Sequence, residues 1–118
     1  MEVSGYLGSD TAAHAIFREI KAAALALGET DFRVSTSQIG LYRKHPFASV
    51  WKPAQYFEGT RPPLVLTVFL RRRDESGRWK EVVEPTPGHF THHLELSQPS
   101  EVDQAVKRWL AEAWSAAG

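Results

Sequence analysis

The densest chemistry in the chain lies between Glu84 and Glu95, where His89, His92 and His93 stand close in sequence to two carboxylates. Imidazole and carboxylate groups hold transition metals and move protons near neutral pH. Read as a strand, His89 to Leu96 puts His92, Leu94 and Leu96 on one face and His93 and Glu95 on the other. His92 is in phase with apolar residues, so it is predicted to point inward as a satisfied polar group. His89, His93 and Glu95 remain as a candidate metal group, which needs further ligands in suitable geometry. No HExxH, paired-cysteine or EF-hand pattern accompanies them. GxSxG, Walker and GxGxxG patterns are also missing, so nucleophilic catalysis and nucleotide phosphates find no motif, and no cofactor is expected.

The second cluster is basic. Arg71, Arg72 and Arg73 precede Arg78 and Lys80, with Asp74-Glu75-Ser76-Gly77 between them in the composition of a hairpin turn. Cations at a hairpin end beside aromatic residues are the parts of a nucleic-acid accessory surface. They also protect a sheet edge against pairing with another chain. Net charge is zero, but its distribution is uneven. Arg43 to Lys80 carries nine Lys or Arg against three acids, whereas the residues after Lys80 carry six acids against Lys107 and Arg108. Such asymmetry marks a surface suited to an anion. The neutral total and the lack of an RNP-like pattern weigh against nucleic acid.

These groups must be positioned by a sheet, and its centre is Leu64-Val65-Leu66-Thr67-Val68-Phe69-Leu70. This run is bounded by Pro62-Pro63 and Arg71-Arg72-Arg73 and is rich in β-branched and aromatic residues, which favours a strand. Both of its faces are largely apolar, as expected of a central strand covered on each side. Before it, Phe32 to Ser37, Gln38 to Arg43 and Phe47 to Trp51 alternate as strands, with Lys44-His45-Pro46 as a turn. Ala54 to Pro63 reads as a long loop, with Tyr56 and Phe57 plugging the edge of the core. After it, Arg78 to Glu84 is expected to pair back on the central strand. Pro85-Thr86-Pro87-Gly88 turns into the last strand.

Helices close both ends. Ser9 or Asp10 caps a helix from about Thr11 to Leu27, with Ala13, Ile16, Phe17, Ile20, Ala24 and Leu27 as its apolar stripe and Gly28 as its stop. Ser97 or Ser100 caps a final helix buried through Val102, Val106, Trp109, Leu110 and Ala113. Met1 to Gly8 reads as an extended arm. The chain of 118 residues is expected to be one domain, with a radius of gyration of roughly 13 Å. It has no cysteine, no apolar run near the ~20 residues of a membrane span and no signal-peptide core, so a cytoplasmic protein without a membrane partner is expected.

The fold class that follows is α+β: a two-layer sandwich with the N- and C-terminal helices on one face of an antiparallel sheet of about six strands. The opposite face would then hold some of Val65, Thr67, Phe69, Tyr42, Trp51 and Trp79, as register decides, rimmed by Arg43, Lys52, Arg71 and Lys80. An aromatic patch of that kind needs cover. A non-catalytic binding or interaction module is the resulting functional expectation. Its partner would be a small anionic or aromatic ligand, another protein, or a second copy of the chain in a homodimer. Nucleic acid at Arg71–Lys80 and metal-dependent activity at His89, His93 and Glu95 are the alternatives.

Gln38-Ile39-Gly40-Leu41, Phe47-Ala48-Ser49-Val50-Trp51, Trp79-Lys80-Glu81-Val82-Val83-Glu84-Pro85 and His92-His93-Leu94-Glu95-Leu96 together resemble a small bacterial family catalogued only as a domain of unknown function. The resemblance covers nearly the whole chain and implies a fold, not a catalytic residue. The helix–meander–helix order is also similar to frataxin-type iron chaperones, which present an acidic ridge on the first helix and following strand. Here that region carries Glu19, Glu29 and Asp31 among Arg18, Lys21 and Arg33.

Overall fold

The computed structural model describes residues 2–118. A short helix α1 (Val3–Leu7) precedes α2 (Thr11–Leu27), which is followed by β1 (Asp31–Val34), β2 (Ile39–Tyr42) and β3 (Pro46–Trp51). A 3-10 turn over Pro53–Gln55 leads to β4 (Leu64–Leu70), then β5 (Glu81–Thr86) and β6 (His89–Leu96). A second 3-10 turn, Pro99–Glu101, leads to α3 (Gln104–Ala116).

Local chemistry explains the helix ends. Of the two cap candidates for α2, Asp10 acts: its carboxylate accepts the Ala13 N–H at 3.0 Å, one of the amides a first turn leaves unpaired. Ala13, Ile16, Phe17, Ile20 and Ala24 are buried. Gly28 ends the helix with φ 147°, and a Cβ there would lie 2.6 Å from the Trp114 ring, so both backbone and packing demand glycine. At α3 the expected serine caps are not used. Asp103 accepts the Val106 N–H at 3.2 Å, while Gln98 and Glu101 close a reciprocal box around the preceding 3-10 turn. The expected extended arm is instead α1. A helix this short is not stable on propensity; burial of Tyr6 and Leu7 in the core supplies the missing stabilisation.

The sheet has six strands in the order β1-β2-β3-β4-β6-β5, with every neighbouring pair antiparallel. β4 is central, between β3 and β6. The predicted hairpin between β4 and the Arg78–Glu84 segment does not form. β6 inserts between β4 and β5, and β5 becomes the outer strand, paired only with β6. β4 and β5 therefore run parallel and cannot be joined by a tight turn. The connecting residues 71–80 are drawn to α3 instead. Arg72 pairs with Glu112 at 2.9 Å, Arg78 pairs with Asp103 at 2.9 Å, and the Trp79 ring packs 4.2 Å from that of Trp109.

Register assigns the two faces. Leu64, Leu66, Val68 and Leu70 of β4 join Ile39, Leu41, Val50, Leu94 and Leu96 in one contiguous core with the buried stripes of α2 and α3. Phe17 of α2 meets Phe32 of β1 edge to face, centroids 6.0 Å apart, so α2 covers the same side as α3. Two helices on one side of an antiparallel sheet make the α+β sandwich. The other face carries Tyr42, Trp51, Val65, Thr67, Phe69, His93, Glu95 and Glu81. The radius of gyration is 13.3 Å. No helix among the described residues is long and apolar enough to cross a membrane.

Candidate ligand-binding site

On the helix-free face three side chains from three adjacent strands form a hydrogen-bonded chain. Trp51 Nε1 of β3 donates to Thr67 Oγ1 of β4 at 2.9 Å, and that oxygen lies 2.8 Å from His93 Nδ1 of β6. The pairing Thr67↔His93 places the last two side by side, and Trp51↔Val65 sets the indole one step along. The Trp51 and His93 rings stand nearly perpendicular, at 89° with centroids 5.9 Å apart. Thr67 is a buried hydroxyl in an otherwise apolar run, and it holds both rings. Burial pulls His93 below the ordinary histidine range, opposed by the charge of Glu81 directly across the strand pair. Burial thus favours the neutral ring. Its Nδ1 is engaged, and its Nε2 takes no hydrogen bond among the described residues.

The loop after β3 builds a wall beside this base. The Tyr6 hydroxyl faces Ser37 O at 3.0 Å and Gln55 Oε1 at 2.7 Å and accepts the Lys52 N–H at 3.1 Å, so α1 pins the start of the loop. Tyr56 donates to Ser37 O at 3.0 Å and meets Trp51 edge to face, centroids 5.8 Å apart. The loop does not plug the core as the sequence suggested. Tyr56 and Phe57 stay 53% and 50% exposed, because the hydroxyl and its carbonyl partner hold Tyr56 at the surface. Phe57 carries the Arg61 guanidinium 4.9 Å above its ring. Trp51, Phe57, Arg61, Lys80, Glu81, His93 and Glu95 line a cleft of about 320 Å³. Lys80 is brought to it by its backbone, whose N–H donates to His93 O at 2.7 Å.

The residues singled out from the sequence are distributed over several places. Trp51 and Lys80 line this cleft. Phe69 and Arg71 line a second cleft at the end of the sheet. Tyr42 lies on the same face but reclines over Gly40, where a Cβ would meet its ring at 2.7 Å, and is capped by Arg33 at 3.9 Å. Arg43 stacks on Trp114 at 3.6 Å, and Lys52 sits over Tyr6 at 4.6 Å. Trp79 is on the opposite side of the sheet from the position expected. It is 9% exposed, donates to Asp74 Oδ2 at 2.8 Å and packs under α3. The sequence places Thr67 on this face, but it does not single out Thr67, Phe57 or Arg61 as site residues. The one available signal was Thr67, the lone hydroxyl in the apolar run.

The two alternative chemistries fare differently from the cleft. His93 and Glu95 share it, but His89 lines the second cleft, so the three do not assemble. No group of three or more His, Cys, Asp or Glu among the described residues is arranged to hold a metal. The basic segment is not a free hairpin tip. Arg72 is engaged by Glu112 and Asp74, and both raise its pKa by hydrogen bonding. Arg78 is engaged by Asp103, whose carboxyl it holds below the usual range.

No curated protein and no solved structure matches this chain. Residues 2–117 match the family described as Domain of unknown function (DUF5655), nearly the full length and both layers of the sandwich. The chain belongs to the DUF5655 family.

Proposed function

We propose that the protein is a non-catalytic binding module whose site is the cleft between Trp51 and His93. Its ligand is a small planar aromatic acid that also carries a hydrogen-bond donor. The observation that supports this most is the Trp51–Thr67–His93 chain, which fixes two rings at right angles at the base of a cleft. Rigid walls reduce the ordering cost of binding. A cleft of about 320 Å³ suits a single-ring molecule. Trp51 and Phe57 offer ring surfaces, and Arg61 and Lys80 offer cations for a carboxylate. Glu81 and Glu95 line the same cleft and take the donor.

The test is a titration of isotope-labelled protein with 4-aminobenzoate, benzoate and aniline. Saturable shifts of the Trp51 indole and His93 ring signals are expected, tightest for 4-aminobenzoate, and Trp51→Ala abolishes them. Equal, non-saturable shifts for all three compounds would overturn the reading.

A further inference from the structure

A second cleft, of about 430 Å³, opens at the end of the sheet where β4 finishes, the β5–β6 hairpin turns and α3 ends. Its volume is within the range of small-molecule sites. The apolar lining is Leu70, Phe90, Ala113 and Ala116 on the helical side of the sheet, together with Phe69 of the other face. The polar lining combines basic side chains with the hydroxyls of Thr86 and Thr91. Arg71, His45 and His89 contribute cationic or imidazole groups, and no carboxylate lines the cleft.

These three side chains differ from most of their neighbours. Arg72 and Arg78 are engaged by α3 carboxylates, Arg43 by Trp114, and Arg61 by Glu58 O and Phe57. Arg71, His45 and His89 take no side-chain hydrogen bond or ion pair among the described residues, although all three border one hollow. The C-terminal end of α3 also borders it, and a helix C-terminus repels anions. That end is already engaged: Ala117 O accepts the Lys44 and His45 amides at 3.1 and 3.0 Å, and Trp114 O accepts from Arg43 Nη1 at 3.2 Å. The unopposed charge in the hollow is therefore that of Arg71, with the His45 and His89 imidazoles beside it as hydrogen-bonding groups.

We infer that this cleft is a separate binding site for a small amphipathic carboxylate, its apolar tail on Leu70, Phe90 and Ala116 and its anionic head at Arg71, His45 and His89. An apolar floor with a one-sign rim matches a molecule with one charged end. The aromatic-acid cleft between Trp51 and His93 shares no lining residue with it, so the two sites stand or fall separately.

Hexanoate is the probe, titrated into the labelled full-length chain and followed by amide shifts. Saturable shifts are expected at His45, Phe90 and Ala116. Arg71→Gln is an exposed substitution and weakens hexanoate about tenfold, as expected for losing a hydrogen bond to a charged group. Ala116→Leu fills the cleft from an exposed helix position, keeps the fold and abolishes the shifts. Trp51→Ala leaves them unchanged. Hexan-1-ol or hexylamine binding as tightly as hexanoate overturns the assignment of an anion. Shifts that map elsewhere, persist in Ala116→Leu or fail to saturate overturn the site.

Discussion

Two neighbouring histidines on β6 show how the two faces of this sheet differ. His92 is 0% exposed on the helical side, and both of its ring nitrogens are satisfied. Nε2 accepts the Asp74 N–H at 2.9 Å, and Nδ1 faces Phe90 O at 3.2 Å. That pattern requires a neutral ring protonated at Nδ1. Asp74 in turn accepts from Trp79 and Ser76 and pairs with Arg72. Burial pushes its carboxyl up, but these hydrogen bonds outweigh burial and hold it below the usual range. His93, one residue on, has one nitrogen engaged and one without a partner, at the base of a cleft. A closed network stabilises a fold; an open valence beside a cleft is what a ligand can use.

The comparison is broken most strongly on the helical side. Trp79→Ala removes a buried ring that packs on both Trp109 and His92. It should cost about 3–5 kcal/mol in urea unfolding, while Trp51→Ala, on the half-buried side, should cost less than half as much. Equal losses would mean that the two faces do not differ in kind. Thr67→Val leaves the Trp51 N–H and His93 Nδ1 without their shared partner and should cost about 1–3 kcal/mol. Thr67→Ser keeps the hydroxyl and should restore both stability and the His93 ring signals; failure of that rescue would assign the effect to packing alone.

Acid sharpens the contrast further. Burial depresses both His92 and His93, so the folded chain takes up their protons less readily than the unfolded chain. Their contribution is complete above the unfolded value of about 6.5 and is lost as pH falls through it toward the folded values. The urea midpoint should therefore drop between pH 7.5 and 5. His92→Gln should reduce that slope, since it removes the titrating group while keeping an acceptor for the Asp74 amide. The smallest stability effect is expected at Phe57→Ser. Half of that ring is already in water, so stability should change by less than about 0.5 kcal/mol, whereas 4-aminobenzoate binding should weaken. A large loss of stability would show that the loop is a core plug after all.

Much of the scaffold is legible along the chain because its signals are local. The stripe Ala13–Ile16–Phe17–Ile20–Ala24, the cap at Asp10 and the apolar run Leu64–Leu70 each depend on residues within a few turns or one strand. His92 facing inward was likewise readable from its phase with Leu94 and Leu96. The misreading of strand order has a single cause. Asp74-Glu75-Ser76-Gly77 has the composition of a tight turn, but a tight turn and a crossover can begin with the same residues. The ion pairs to Glu112 and Asp103 and the burial of Trp79 come from a helix thirty residues further on. For that reason Trp79 lies under α3 and not beside Trp51.

The sequence by itself determined the two long helices, the central strand and its neighbours, which face of the helices is apolar, and that the chain builds a sheet with helices at both ends. Periodicity, caps and breakers act over short separations, so they can be read in one dimension. Only the tertiary structure decided that β6 enters between β4 and β5, that Trp51, Thr67 and His93 meet, and that His89 and His93 part company into separate clefts. Those outcomes depend on strand order and register, which are set by the packing of distant residues against one another and not by any stretch of the chain alone.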